Sequence, residues 1–416
     1  MPKQAPPFAF FFLHLAAVWP IGVVSLALAN SLVRAGVSVR YIATIVAVMS
    51  LAFTLEFVWA PMVDSSLSRK VWYAVGAAIM CLCLFAMFLV PWNANAVPVL
   101  TVLAFASCSG AAIAAAAIKG IMAYDVTPER IGEASGFYTA GGTFGKAVVG
   151  AGTLLLLTHL SDRTLAAGVT VGCAALVAAA VLLAAPRPVL PLREIAAKIG
   201  SALLDLWHFV RTRNGLLIAL LCVLPFGSGT EAGLIGAIAR EWRVSPNELA
   251  LFSTLGAGTN IAGAILAGWL ATRFGSWTIY IASGLVMVAV MIVFAFAPRT
   301  VAVFLGVELL YRAFATGCYA ALLGIVMAAV GKGAASTKAA VMWSLLNLGF
   351  FYPTLIEGFV HDRDGTTAML LTDALLGAAG FAILMVALRF LGSRAPTNEL
   401  VPLQQAGKCQ TAVQRV

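Results

Sequence analysis

The chain has 416 residues, 62% of them hydrophobic and only 10% charged, and its mean hydropathy is +0.98. A soluble domain carries about 25% charged residues, so most of this chain lacks a water-facing surface and a water-soluble fold is excluded. The net charge of +9 comes from basic residues spread over short loops with no aromatic-basic patch, which argues against nucleic acid as a partner and for membrane topology.

The first apolar run, Phe8 to about Asn30, is too long for a signal-peptide core and no cleavage site follows it, so it reads as a retained span. A membrane helix needs about 20 mainly apolar residues. That window finds twelve: 8–33, 39–62, 71–90, 97–124, 137–158, 164–184, 214–238, 247–271, 277–297, 301–330, 338–360 and 367–392. Barrel strands would alternate apolar and polar positions, and these runs do not. The expected fold is an all-α membrane protein of twelve transmembrane helices in two six-helix bundles, 1–184 and 214–392. The stretch 185–213 is expected to be an amphipathic helix on the cytoplasmic surface, and 393–416 a polar, disordered tail.

Lys and Arg orient the spans. With both termini in the cytoplasm, 16 basic residues fall inside, 7 outside and 3 (Lys119, Lys146, Arg312) within the membrane. That bias places both termini inside. The 7 cysteines are scattered, mostly in apolar runs; Cys81-x-Cys83 is neither a zinc nor a redox motif. No metal site or cofactor is expected.

An internal repeat joins the halves. Span two ends with Ala60-x-x-x-Asp64 followed by Arg69-Lys70, and span eight with Gly268-x-x-x-Thr272-Arg273-Phe-Gly275. Equivalent positions in two six-span halves are what parallel repeats about an axis along the membrane normal produce.

On these residues the chain resembles the major facilitator superfamily, whose signature after spans two and eight is Gly-x-x-x-Asp-Arg-x-Gly-Arg-Lys/Arg. Gly268, Arg273 and Gly275 match it, and Asp64 with the basic pair keeps a partial first copy. Within the superfamily the chain is similar to the muropeptide permease branch and its siderophore-importer relatives. Leu55-Glu-Phe-Val-Trp-Ala-Pro-Met-Val-Asp64, Pro128-Glu-Arg-Ile-Gly-Glu-Ala-Ser-Gly136 and Trp269 to Gly275 carry that likeness. It departs in span four, where muropeptide carriers have acidic residues and this chain reads Ile113-Ala-Ala-Ala-Ala-Ile-Lys119. The resemblance implies alternating access, with Asp64, Arg69, Lys70 and Arg273 forming a cytoplasmic gate.

An ionisable residue at mid-membrane costs about 2.5–3.5 kcal/mol on insertion scales, so each asks for a reason. Lys119 and Lys146 are candidate holders of an anionic solute group. The alternatives are snorkelling or pairing with Glu56 or Asp125. Lys146 shares a face with Gly142 and Gly150, where small neighbours admit a helix or a ligand. Glu308 and Arg312, four apart, are either a self-neutralising pair that docks span ten or a charge site that changes partners during transport. Glu231 lies where Pro225, Gly227, Gly229 and Gly233 disfavour a regular helix. It is the leading proton-coupling carboxylate, followed by Glu308 and Glu357. Asn260, Trp343, Asn347 and Arg312 complete the expected solute-binding set, with helix packing as the alternative for the first three. His14 is a further ionisable residue, in span one.

No His-Glu-x-x-His, G-x-S-x-G or nucleotide-binding loop occurs. The function expected is therefore not enzymatic but a proton-coupled import of an organic anion or amphiphile, muropeptide-like or siderophore-like. The working unit would be a monomer in the bacterial cytoplasmic membrane, with lipid, protons and a small solute as its partners. The rival reading is a transporter-shaped assembly factor for pigment or membrane-protein complexes that translocates nothing.

Overall fold

The computed structural model describes residues 5–65, 68–126, 131–160, 162–183, 204, 207–225, 233–330 and 335–391. Among these, all regular structure is helical. In chain order, α1 (Ala9–Ala17) and α2 (Trp19–Arg34) make the first expected span; α3 (Val39–Thr54) and α4 (Glu56–Ser65) make the second. Then come α5 (Arg69–Leu89), α6 (Val97–Asp125), α7 (Ile131–His159) and α8 (Arg163–Ala178). The seventh span is represented by α9 (Arg213–Val223) and the single turn α10 (Ile235–Ile238). After it follow α11 (Pro246–Phe274), α12 (Ser276–Phe296), α13 (Val301–Val330) and α14 (Ala335–Leu391).

Among the described residues nine helices are long and apolar enough to cross a membrane, or ten when the bent pair α1–α2 counts as one span. One of the nine, Val341–Phe390, holds two helices that meet at Gly365, whose φ of +82° a side chain would strain. The expected linker lies largely outside the described residues, and the expected tail beyond 392 lies wholly outside them.

The breaks have local causes. Pro20 cannot donate to the carbonyl four residues back, and α1 and α2 meet there at 48°. Leu55 (φ −79°, ψ 4°) interrupts the second span and leaves Glu56 at the head of α4. Helix α9 stops at Val223 because Leu224 precedes Pro225 and is driven to extended geometry (φ −63°, ψ 143°). Helix α11 starts on a capping box, Ser245 with Glu248, and has Pro246 in its first turn. It ends at Gly275, φ +84°, which explains the glycine of the repeated motif.

Packing repeats with the halves. Helix α5 lies on α6 as α12 lies on α13, and α3–α4 lie on α6 as α11 lies on α13. Likewise α1–α2 lie on α7 as α9 lies on the first part of α14, where Tyr352 donates to the Val223 carbonyl at 3.0 Å. Between halves, α3 meets α14 and α7 meets α11. Exchanging the halves turns one pair into the other, as a twofold axis requires. Glycines allow the closest approaches: a Cβ on Gly76 would lie 2.6 Å from the Gly110 carbonyl of the neighbouring helix, and one on Gly22 would lie 2.6 Å from that of Lys146. Gly141 and Gly145 likewise press against α1 and Val18, so that cluster is a packing surface, as its position within a span implies.

The halves are in contact at the end that carries the 34–39, 239–245 and 361–366 turns. Buried Asn30 donates to the Gly236 carbonyl at 3.2 Å and accepts from Arg34 at 3.1 Å. The Arg40 backbone N–H donates to Asp362 at 3.1 Å, while Gly358 packs on Ala43 and Gly233 on Val46.

Candidate functional site

In the N-terminal half, four helices bring ionisable and aromatic groups together. Glu56, 7% exposed, heads α4, where the helix dipole favours a carboxylate. Lys119 of α6 reaches it, Nζ to Oε1, at 2.5 Å. The pairing alternative therefore holds for Lys119, with an acid 63 residues away in sequence. Across α7, the His14 ring stacks on Tyr138 with centroids 3.6 Å apart and planes 3° from parallel. His14 Nδ1 lies 2.7 Å from the Tyr138 carbonyl oxygen. A carbonyl only accepts, so Nδ1 carries a hydrogen and Nε2 is left as the lone-pair nitrogen of the neutral ring. Gly142 makes the stack possible, because a Cβ there would run into the imidazole. The small face expected beside Lys146 is thus filled by the first span and His14. Lys146 itself is exposed, one turn beyond Gly142, and both lysines lie within electrostatic reach of His14.

This cluster faces the other half. Tyr138 lies within electrostatic reach of Tyr319 on α13, and Tyr319 packs edge-on against Trp343, centroids 5.6 Å apart. An apolar recess between α9, α13 and α14 is lined by Cys222, Tyr319, Leu322, Val326, Met342 and Trp343. Asn347 gives its amide to the Trp343 carbonyl at 2.9 Å, a bond within its own helix.

On α13, Arg312 Nε lies 2.6 Å from Glu308 Oε1, with side chains 12% and 5% exposed. Arg312 also crosses Gly256 of α11, where a Cβ would stand 2.7 Å from its Cδ. Asn260, one turn along α11, accepts from Thr316 at 2.8 Å. Glu308 and Arg312 are thus paired along α13, and Arg312 also lies against α11. Glu357 is fully buried on α14, beside the Gly358 contact with α3. Glu231 lies outside the described residues, as do the side chains of Asp64 and Thr272. Of the expected gate, Arg69 packs over Gly120 of α6, Lys70 is half-buried, and Arg273 lies 4.9 Å over the Trp269 ring.

A second polar cluster, which sequence reasoning missed, sits at the closed end. Arg299 lies 3.9 Å over the Trp242 ring, donates to Thr367 at 3.0 Å and stands 4.0 Å from Glu241. Glu241 also accepts from Thr366, and His361 lies 3.5 Å away. Burial opposes the charge of Glu241, but hydrogen bonds from His361 and Thr366 and the Arg299 charge outweigh it and hold the carboxyl below its ordinary range.

The fold has many solved counterparts. The nucleoside transporter NupG is 12% identical and superposes with a TM-score of 0.70 over 93% of this chain and 99% of that one. A POT family transporter in complex with 5-aminolevulinic acid is 12% identical, with TM-score 0.71 over 94% and 98%. A D-xylose-proton symporter is also 12% identical, with TM-score 0.71 over 92% and 97%. No curated protein sequence matches the chain. Residues 8–352 match the family model described as Major Facilitator Superfamily, and on that match the chain belongs to the major facilitator superfamily of membrane transporters.

Proposed function

We propose that this protein is a secondary-active, proton-coupled carrier that imports an organic anion of muropeptide-like or siderophore-like character across the bacterial cytoplasmic membrane. It would work as a monomer of twelve spans with both termini inside. The observation that carries this reading is the cluster of His14, Glu56, Lys119, Tyr138 and Lys146, which faces the aromatic pair Tyr319–Trp343 of the other half. Two ammonium groups and three aromatic rings suit a solute with both a carboxylate and a flat or apolar part. Among the solved counterparts of this fold, one is titled a D-xylose-proton symporter and one a POT family transporter in complex with 5-aminolevulinic acid, which agrees with a carrier of small solutes. Asn260, Arg312, Trp343 and Asn347 complete the proposed solute side. Glu231, Glu308 and Glu357 are the proposed coupling carboxylates of the C-terminal half.

Contact between the halves at one end supports alternating access, with Asp64, Arg69, Lys70 and Arg273 as the proposed gate at the other. The test is uptake into proteoliposomes of the purified chain, with muramyl dipeptide and a citrate-type siderophore as probes and an inward proton gradient imposed. Accumulation above equilibrium that collapses with a protonophore is expected. Binding of a probe without any accumulation would replace the carrier with a non-translocating receptor or assembly factor.

A further inference from the structure

Ser68, Asp162, Thr212, Ser245 and Thr300 stand before α5, α8, α9, α11 and α13, and each accepts an amide hydrogen of its own helix at 2.8–3.4 Å. Ser38 stands before α3 in the extended geometry of an N-cap (φ −65°, ψ 149°), yet its side chain does not cap the helix. Its hydroxyl oxygen is buried and has no hydrogen-bond partner among the described residues. The bond it would make is made by the other half instead. Asp362 Oδ1 accepts from the amide of Arg40, the second residue of α3, at 3.1 Å.

The sequence of α14 delivers that carboxylate. Gly358 lets the two helices close up, since a side chain there would overlap Ala43. One residue on, the Phe359 ring lies 5.1 Å from the Arg40 guanidinium. Asp362 is one turn beyond Gly358, on the same helical face, and so reaches the head of α3. An acid in the last turn before the break at Gly365 is disfavoured by the dipole of its own helix. The first turn of α3 offers it the favourable end of another.

We propose that α3 exchanges caps as the halves part at this end. Asp362 caps it from across the interface while the end is closed, and Ser38 takes over, by a turn about its Cα–Cβ bond, once Asp362 withdraws. The proposal rests on the alternating-access reading above and gives it a device for opening. Asp362 is 27% exposed, so water replaces the amide at its carboxylate. At the amide, the Ser38 hydroxyl replaces the carboxylate, and no orphan donor is left at the head of α3. Parting then exchanges hydrogen bonds and loses none. It also gives a partner to a hydroxyl that is buried without one in the closed arrangement.

A double-mutant cycle tests the exchange, with spin labels at Ala35 and Arg363 in the full chain without native cysteines. The wild type should show a short-distance and a long-distance population. Ser38→Ala removes the cap of the parted state alone, and should favour the short distance by about fivefold, the factor given by a cap worth about 1 kcal/mol. In Asp362→Ala the hydroxyl is released to cap α3 in both states. Adding Ser38→Ala to that variant should therefore leave its populations unchanged. An equal shift in both backgrounds, or no shift toward the short distance in the first, overturns the cap exchange; uptake into proteoliposomes would leave the carrier reading standing. A single population in the wild type overturns the exchange as well, and if it comes with no uptake the carrier reading falls too.

Discussion

Gly358→Ala tests whether the contact between α3 and α14 is one that opens during transport. A methyl on Gly358 would overlap that of Ala43 and stand 3.3 Å from the Arg40 Cα. The backbones on both sides are buried helix, so the overlap is relieved only by moving the halves apart. Overpacking of this kind costs about 1–3 kcal/mol. Where the surfaces part during transport, the cost falls on one state only, and a differential of 1–3 kcal/mol then shifts a two-state population by about 5- to 150-fold. Spin labels at Ala35 and Arg363, both exposed at this end, report the change on a background without native cysteines. The distance distribution should broaden and lengthen in Gly358→Ala, and Ala43→Gly should restore it in the double variant, since it removes the other half of the overlap. An unaltered distribution with a lowered melting temperature would refute the reasoning, because the contact would then be a permanent part of the core.

Glu56→Gln leaves Lys119 without its acid and should cost about 2–3 kcal/mol of stability in detergent. That lies below the roughly 3–5 kcal/mol for breaking a fully buried pair, because Lys119 is 35% exposed; Glu56→Gln with Lys119→Gln should recover most of it, as read by thermal unfolding. Asp362→Ala removes the acceptor for the Arg40 amide in the first turn of α3 and should weaken closure by about 1 kcal/mol, visible in the same label distances. The Glu241 carboxyl is held below its ordinary value, so its contribution is fully present above the unfolded value of about 4.3 and is lost as pH falls through the lower folded one. The stability of the C-terminal half, read by thermal unfolding, should therefore fall only on strong acidification, and in Glu241→Gln that pH dependence should vanish. For topology, a cysteine at Asn95 should react with an impermeant reagent from outside and one at Gly333 should not; the opposite pattern would invert the orientation.

Local rules made much of the scaffold readable. Pro225 and Pro246 act within a turn of themselves, and the break and the start they produce lie where the sequence puts them. Glu308 and Arg312 were readable as a pair for the same reason, being one helical turn apart. The contacts that define the site depend on packing over long separations. Glu56 and Lys119 are 63 residues apart, His14 and Tyr138 are 124 apart, and Arg40 and Asp362 are 322 apart. Periodicity tells which residues share a face, not which faces meet. His14 stood out as an ionisable residue in a span, but its partner is a backbone carbonyl, which carries no sequence signal. The bend within the first span was hidden in an unbroken apolar run, with Pro20 its one visible trace.

The placement of strong and weak contacts bears on how the halves can move. The ion pairs Glu56–Lys119, Glu308–Arg312 and Arg299–Glu241 each lie inside one half. Across this end, the contacts among the described residues are of another kind: Asn30 to a carbonyl, a backbone amide to Asp362, Arg40 over the Phe359 ring, and Gly358 and Gly233 against Ala43 and Val46. A hydrogen bond exchanged with water nets about 0.5–1.5 kcal/mol, whereas separating a buried charge pair costs several times more. Contacts of the first kind can be broken and remade with a modest barrier each time the halves rock; contacts of the second kind keep each half rigid while they do. The twofold relation of the packing adds a second condition. It permits either half to serve as the moving body, but the chemistry is not twofold: histidine, tyrosine and lysines on one side face tyrosine and tryptophan, with a Glu–Arg pair, on the other. On the proposed carrier reading, a solute that engages both sets would touch both halves at once and so favour an intermediate in which both ends are shut.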